Sequence, residues 1–115
     1  MIKFSPPDGE IREYCENESF TAACPDGHVI LVTTAEYGRM RVGRCITNAE
    51  NLKCSADVRG HVASSCSGRE VCEFAVAKLL SGVVLPCSMN YRGFLEAGFI
   101  CVPGTGQGIV YLNAS

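Results

Sequence analysis

Eight cysteines carry the most evident chemistry in this sequence of 115 residues. None of them stands in the C-x-x-C spacing of a zinc site, and His61 is the one histidine among the later cysteines. An even number of thiols spread in this way predicts four disulfides, formed in an oxidising compartment, rather than a metal centre. Eight cysteines allow about 105 pairings, and spacing alone does not choose among them. The half-cystines are Cys15, Cys24, Cys45, Cys54, Cys66, Cys72, Cys87 and Cys101.

The remaining reactive residues offer little to an enzyme. His28 and His61 belong to no motif that would make either of them a general base. Gly104, Gly106 and Gly108 alternate as in a phosphate loop, but no strand–loop–helix pattern surrounds them. The formal net charge is -2, whereas nucleic-acid binders carry a basic excess. The sequence therefore predicts a protein that is not an enzyme, uses no cofactor or metal and does not bind nucleic acid.

Composition indicates a single globular domain. Hydrophobic residues make up 47% of the chain and charged residues 19%. No apolar run is long enough to cross a membrane, so no membrane insertion is expected from this segment. Polar residues 1–13 are predicted to be a flexible lead-in, residues 14–102 the folded domain, and residues 103–115 a Gly-rich linker and C-terminal tail.

Two segments have the character of β-strands. The β-branched run at residues 28–34 follows a Pro-Asp-Gly turn signal, and residues 94–102 are apolar enough to form a buried strand. Between them, residues 36–39 contain Gly38, which predicts a bend with a backbone freed by glycine. These strands have to position any side chain that does chemistry.

A helix is predicted in the middle of the chain. Apolar or half-cystine positions recur every four residues from Cys54 to Cys66, which is helical spacing. Residues 71–76 fit either a strand or the start of a helix that runs to Leu80, and the pattern does not separate the two. The predicted fold class is α+β, a small disulfide-stapled domain of strands and one main α-helix with long loops.

Several segments within this cysteine frame resemble one known family. The chain resembles the sea-urchin-egg-lectin (SUEL) type domain, the galactose- or rhamnose-binding lectin family that also occurs in latrophilin adhesion receptors. The resemblance covers about residues 14–102 and includes all eight cysteines in order. The segments that carry it are Cys15-Glu16, Cys24-Pro25-x-Gly27-x-Val29-Ile30, Ala35-x-Tyr37-Gly38-Arg39, Cys66-Ser67-Gly68-Arg69-Glu70-Val71-Cys72, Pro86-Cys87, Phe94-Leu95 and Phe99-Ile100-Cys101.

This resemblance implies a fold, a location and a disulfide pattern. The fold would hold two small antiparallel sheets and a helix, in a protein that is secreted or displayed on the extracellular face of the cell. The pairs implied are Cys15–Cys45, Cys24–Cys101, Cys54–Cys87 and Cys66–Cys72.

The resemblance also implies a sugar site. Glu16 stands where the family has a sugar-binding glutamate, and Tyr37 matches the tyrosine that lines its pocket. Without the family, a solvated glutamate and a packed loop tyrosine are the ordinary interpretations. Arg39, of the same Tyr-Gly-Arg motif, is expected to brace a loop rather than to touch a ligand.

The last block departs from the family pattern. Leu85 replaces the aspartate expected before Pro86, which removes an acceptor for sugar hydroxyls. One inserted residue places either Arg92 or Gly93 at the position of the expected lysine, and Arg92 is the candidate cation. Two functions follow: a non-catalytic, metal-independent domain that binds rhamnose- or galactose-like glycans of the cell surface or matrix, or a module of the same fold that binds an extracellular protein.

Two other features bear on surface chemistry. Asn17 and Asn113 begin N-glycosylation sequons, and a glycan on Asn17 would stand beside Glu16. Arg39, Arg41 and Arg44 form a basic cluster, which fits either a solvated strand face or a patch for anionic glycans.

Overall fold

A computed structural model describes residues 10–50, 52–79 and 92–104. Within these ranges the chain forms a four-stranded antiparallel sheet in the order β1-β6-β3-β4, a two-stranded antiparallel sheet of β2 and β5, and two helices. The predicted α+β class with two antiparallel sheets is confirmed. The elements are β1 (Arg12–Cys15), β2 (Ser19–Ala23), β3 (His28–Arg39), β4 (Cys54–Asp57), α1 (Arg59–Cys66), β5 (Val71–Ala75), α2 (Val76–Leu79) and β6 (Phe94–Pro103).

The two long strands, β3 and β6, form the centre of the larger sheet. They pair from His28 opposite Pro103 to Gly38 opposite Phe94, with an irregularity between Val32 and Thr34. Both strands are rich in buried apolar residues because neighbouring elements cover them. The turn that leads into β3 is closed by a 2.9 Å hydrogen bond from the His28 amide to the Pro25 carbonyl.

Phe20 of β2 joins the two sheets. Its side chain is fully buried, and its ring lies 5.1 Å from Tyr14, 5.3 Å from Phe74 and 6.3 Å from Phe99, centroid to centroid. Edge-to-face and tilted contacts at these separations stabilise aromatic clusters. On another side, α1 packs against β3 and buries Val62. The sheet that positions the strand ends is therefore held from several directions.

Disulfides connect the elements over both short and long sequence separations. Three bonds join Cys15 to Cys45, Cys24 to Cys101, and Cys66 to Cys72, and these are three of the four pairs that the resemblance implies. Cys54 is also disulfide-bonded, and its expected partner Cys87 lies outside the described residues. The Cys24–Cys101 bond spans 77 residues and ties the end of β2 to β6.

The predicted bend at residues 36–39 is wrong, because β3 continues through them to Arg39. Gly38 is needed for a different reason than turn flexibility. A Cβ at this position would lie only 2.1 Å from the carbonyl oxygen of Cys54 and 2.5 Å from the Cα of Ser55. The backbone of β4 approaches β3 so closely that a side chain has no room.

The helix boundaries also differ from the prediction. Helix α1 begins at Arg59, whereas Cys54–Asp57 forms strand β4. The four-residue spacing failed there because the half-cystine at position 54 belongs to a strand and not to a helical face. The ambiguous segment contains both alternatives in succession, with β5 ending at Ala75 and the short helix α2 following it.

The limits of the folded domain remain a prediction, and the sheet extends slightly past them. Strand β1 includes Arg12 and Glu13, which the sequence assigned to the lead-in, and β6 ends at Pro103. Residues 1–9 and 105–115 lie outside the described residues. In the part of the chain that is described, the helices are too short to cross a membrane.

Candidate functional site

The candidate site lies at one end of the four-stranded sheet. There β1 and β3 end and β6 begins, because Cys15 and Gly38 both pair with Phe94. The chain segments that follow or precede these strand ends meet at the same place. They bring together residues that are distant in sequence. Glu16 directly follows Cys15, the partner of Phe94 in β1, and Arg92 lies two residues before Phe94 in the chain.

A tight turn presents Glu16 at this end. The amide of Glu18 donates to the Cys15 carbonyl at 2.9 Å, and the Cys15 amide donates to Oε1 of Glu18 at 2.8 Å. These reciprocal bonds fix Glu16 and Asn17 at the tip of the turn. The disulfide from Cys15 to Cys45 ties the turn to the loop after β3.

A pocket of about 330 Å³ opens beside the turn. Two of its side chains carry a formal negative charge and two a formal positive charge, so the charged lining is balanced. Its lining residues are Cys15, Glu16, Asn17, Glu18, Arg44, Cys45, Arg92 and Gly93.

Glu16 has an unusual environment in this pocket. Its Oε1 atom is shielded from water and has no hydrogen-bond partner among the residues that the structure describes. A buried carboxylate oxygen without a donor is costly, and folded proteins rarely leave one. The atom is therefore an acceptor for which the described residues supply no donor, on a side chain that lines a pocket.

Tyr37 lies beneath the site rather than on its surface. Its side chain is 3% exposed and belongs to the core, and it lies in strand β3 rather than in a loop. Burial, followed by the charge of the nearby Glu16 carboxylate, raises the pKa of Tyr37 to about 12. A hydrogen bond from the Gly93 backbone and the positive charge of Arg92 partly offset this increase. The hydroxyl therefore stays protonated at physiological pH and lies within the electrostatic field of both candidate ligand residues.

Arg92 and Gly93 are the two alternatives for the position of the expected lysine. A Cβ on Gly93 would lie 2.9 Å from Cε1 of Tyr37 and 2.8 Å from the Gly38 carbonyl, so no side chain fits there. Arg92 is exposed and lines the pocket. The structure thus brings Glu16, Tyr37 and Arg92 to one end of the sheet.

Arg39 braces this end of the sheet from inside. Only 2% of the residue is exposed. Its guanidinium donates to the Arg92 carbonyl at 2.5 Å, to the Glu50 carbonyl at 2.9 Å, and to both the carbonyl and Oδ1 of Asn48, at 3.2 and 2.9 Å. These bonds join the loop after β3 to the segment that carries Arg92, which agrees with the structural role expected for Arg39.

The interpretation of the basic cluster as a solvated strand face is wrong, because Arg39 is buried and the other two arginines lie outside the strand. Arg41 and Arg44 lie in the loop after β3 and not on a strand face. Arg41 forms ion pairs with Glu13 at 2.6 Å and Glu96 at 2.9 Å, whereas Arg44 pairs with Glu18 at 2.7 Å. These carboxylates neutralise the two arginines, which argues against a patch for anionic glycans.

Arg44 and Glu18 line the pocket, although the sequence assigned neither of them to the sugar site. Glu18 is the middle residue of a sequon, and its spacing from Arg44 gives no signal of contact. Hydrogen bonds from Arg44, and then from the Cys15 amide, lower the pKa of Glu18, so its carboxylate stays ionised. Only the folded turn and the Cys15–Cys45 bond bring these two side chains together.

Other predicted positions add nothing further to the site. Among the described residues no three His, Cys, Asp or Glu side chains are grouped to hold a metal ion. His28 is not in the pocket lining, and its Nδ1 lies 3.2 Å from the Asp26 carbonyl. Leu85 and the second sequon at Asn113 lie outside the described residues.

Comparisons with known proteins agree with this architecture. The family described as the D-galactoside/L-rhamnose binding SUEL lectin domain matches residues 22–101, a range that includes Tyr37 and Arg92 but not Glu16. Among curated proteins, the D-galactoside-specific lectin of Heliocidaris crassispina is 32% identical over 92 residues, which cover 76% of this chain and 85% of that lectin.

Two further relatives are longer than this chain. The L-rhamnose-binding lectin SML of Scomberomorus niphonius is 33% identical, and the latrophilin-like protein 1 of Caenorhabditis elegans is 29% identical; each match covers 76% of this chain. The matched regions span 44% and 9% of those proteins. The family is one of non-catalytic, sugar-binding domains, as the sequence predicts. The chain therefore belongs to the D-galactoside/L-rhamnose-binding SUEL lectin family.

Proposed function

We propose that this domain binds a neutral galactose- or rhamnose-like sugar in the pocket at the end of the sheet, without a metal. The observation that carries the proposal is the Glu16 carboxylate, which lines the pocket and whose Oε1 atom has no donor among the described residues. Two relatives are named for binding D-galactosides and L-rhamnose, which supports the same class of ligand. Neither the pocket nor the names of these two relatives favour the alternative, a module that binds an extracellular protein.

The pocket residues supply complementary chemistry for a sugar. The Glu16 carboxylate accepts hydrogen bonds from sugar hydroxyls, and charge assistance strengthens those bonds. Arg92 donates to sugar oxygens from the pocket rim. Tyr37 stays protonated, and its buried hydroxyl lies close enough to the Glu16 carboxylate to interact with it electrostatically. Since the carboxylate and the guanidinium are both part of the chain, no bridging cation is needed.

The proposed location follows from the disulfides. Three disulfides among the described residues require an oxidising environment to form and persist. We therefore place the domain outside the cell, secreted or on the cell surface, where its ligands would be glycans of the cell surface or matrix.

Calorimetric titration of the purified domain with L-rhamnose, D-galactose and D-glucose tests the function directly. We expect saturable heat with rhamnose or galactose and much weaker heat with glucose, unchanged by a metal chelator. Binding is expected to be weak, because Leu85 removes an acceptor whose hydrogen bond would contribute on the order of 1.5–3 kcal/mol. A folded protein that gives no heat with any of these sugars would contradict the proposal.

Glycosylation at Asn17 is expected to reduce sugar binding. Asn17 is exposed at the tip of the turn and lines the pocket, so a glycan on its side chain would compete for the same space. Protein from a glycosylating host should bind galactose or rhamnose more weakly than the same protein after enzymatic removal of the glycan. Ser19→Ala, which removes the sequon and keeps Asn17, is the matched control and should bind equally well from both hosts. Equal affinity with a glycan shown by mass spectrometry to be present would refute this expectation.

A further inference from the structure

The pocket also contains an ion pair that is not among the residues proposed to bind the sugar. Arg44 and Glu18 both line it, and their side chains are 54% and 39% exposed. They are an ion pair with two contacts, Nη1 to Oε2 at 2.7 Å and Nη2 to Oε1 at 3.1 Å. The pair is therefore accessible to a ligand in the pocket.

Hydrogen bonds to the backbone and an adjacent disulfide restrain this pair. Nη2 of Arg44 also donates to the Glu13 carbonyl at 2.7 Å, and Oε1 of Glu18 accepts from the Cys15 amide at 2.8 Å. The adjacent Cys15–Cys45 disulfide fixes the backbone next to both residues. Because the groups are already ordered, a ligand that binds them loses little side-chain entropy at this position.

The unused hydrogen-bonding capacity of the pair suits hydroxyl groups. The described contacts engage both Nη2 hydrogens and one Nη1 hydrogen, which leaves Nε–H and the second Nη1–H of Arg44. Each oxygen of Glu18 has two lone pairs, so Oε2 can accept a further bond. A sugar hydroxyl both donates and accepts, and it matches a donor and an acceptor that lie side by side.

Charge and volume restrict the ligand further. Arg44 is neutralised by Glu18, and the other two charged residues of the lining, Glu16 and Arg92, also sum to zero. An anionic ligand would gain little here, because the two carboxylates offset the attraction of the two guanidinium groups. The pocket volume of about 330 Å³ lies in the range of roughly 300–1,000 Å³ that holds drug-sized ligands, which are larger than one pyranose ring.

We infer that Arg44 and Glu18 form a second subsite, which holds the next sugar of a neutral di- or oligosaccharide whose terminal residue contacts Glu16. This inference rests on the proposed function and deepens it, since it names the ligand as a neutral oligosaccharide rather than a free monosaccharide. Arg44 and Glu18 then determine which glycan is preferred, and Glu16 determines whether sugar is bound at all.

The test compares methyl galactoside with the disaccharides lactose and melibiose by calorimetry. The wild type should bind at least one disaccharide about three- to tenfold tighter than methyl galactoside, the gain of one or two hydrogen bonds. The double variant Arg44→Met/Glu18→Gln removes both charges together, and the side-chain carbonyl of the introduced glutamine can still accept from the Cys15 amide. It should keep its affinity for methyl galactoside and lose the preference for the disaccharide.

The double variant Arg41→Met/Glu13→Gln is the matched control. It removes the ion pair between Arg41 of the loop after β3 and Glu13 of β1, and neither residue lines the pocket. It should retain the full preference. Equal affinity of the wild type for methyl galactoside and both disaccharides, or a preference that survives in Arg44→Met/Glu18→Gln, would overturn the subsite. Tighter binding of sialyllactose than of lactose would overturn its neutral occupant.

Failure of the subsite is distinguishable from failure of the proposed function. If methyl galactoside binds and Glu16→Gln weakens that binding by about tenfold or more while neither disaccharide binds more tightly, only the subsite is wrong. If the folded wild type binds neither methyl galactoside, methyl rhamnoside nor either disaccharide, the proposed function is wrong and the subsite is wrong with it.

Discussion

Glu16→Gln is expected to weaken the binding of galactose or rhamnose by about 10- to 150-fold, which corresponds to the roughly 1.5–3 kcal/mol of hydrogen bonds to a charged group. The amide keeps the size of the side chain but loses the charge and one acceptor. The effect should be large because Leu85 stands where the family has a second carboxylate, so Glu16 carries the hydroxyl contacts without that support. Isothermal calorimetry with the preferred monosaccharide measures the change.

The fold should tolerate this substitution. Oε1 of Glu16 accepts no hydrogen bond from the described residues, so a change at this atom breaks no hydrogen bond with them. We therefore expect an unchanged or slightly higher Tm together with the loss of affinity. Glu73→Gln, an exposed glutamate on β5, is the control and should change neither quantity. Wild-type affinity in Glu16→Gln would exclude the carboxylate from the site.

Arg39→Met is expected to destabilise the domain by about 3–5 kcal/mol. The substitution keeps an unbranched chain in the space but leaves the carbonyls of Asn48, Glu50 and Arg92 without their buried donor. An acceptor that loses its donor costs up to about 1–3 kcal/mol where it is shielded from water, and less where water takes the place of the donor. Urea unfolding with the disulfides intact gives the free energy.

Arg39→Lys should recover only part of this stability, because one ammonium group cannot span three carbonyls that surround a planar guanidinium. Arg41→Met is the control for the loss of an arginine from the same region. Its side chain is 47% exposed, and removal of an exposed ion pair typically costs less than about 1 kcal/mol. If Arg39→Met costs no more than Arg41→Met, the bracing role assigned to Arg39 is wrong.

Sugar affinity should also fall in Arg39→Met even where the protein remains folded. Arg39 holds the carbonyl of Arg92 and therefore the start of the segment from which the Arg92 side chain enters the pocket. Titration well below the unfolding temperature separates this positional effect from instability.

The sequence predicted those parts of the fold that depend on local pattern, and the resemblance to the lectin family supplied the disulfide pairing. The strand at residues 94–102 was predictable because a long apolar run suits a strand covered on both faces. The bend predicted from Gly38 was wrong, since glycine is as useful for a close approach between strands as for a bend. The helix predicted to begin at Cys54 was wrong there, because a half-cystine has no periodicity of its own and can stand in a strand as well as in a helix.

The candidate site was predictable only in part, and for a physical reason. Glu16, Tyr37 and Arg92 are named by the resemblance, but their meeting at one end of the sheet depends on the register of β1, β3 and β6. The pairing of Arg44 with Glu18, 26 residues apart, has no local signature. Ion pairs that depend on a disulfide and a loop conformation emerge only from the assembled structure.

The direction of β6 has a practical consequence for presentation of the domain. The strand starts beside the pocket at Phe94 and runs ten residues to Pro103, which at roughly 3.3 Å per residue carries the chain about 30 Å to the far end of the sheet. A carrier attached after Gly104 would therefore leave the pocket facing outward. Copies displayed in this way on a multimeric scaffold could engage a glycan-coated surface simultaneously, and weak single-site binding would become strong through avidity.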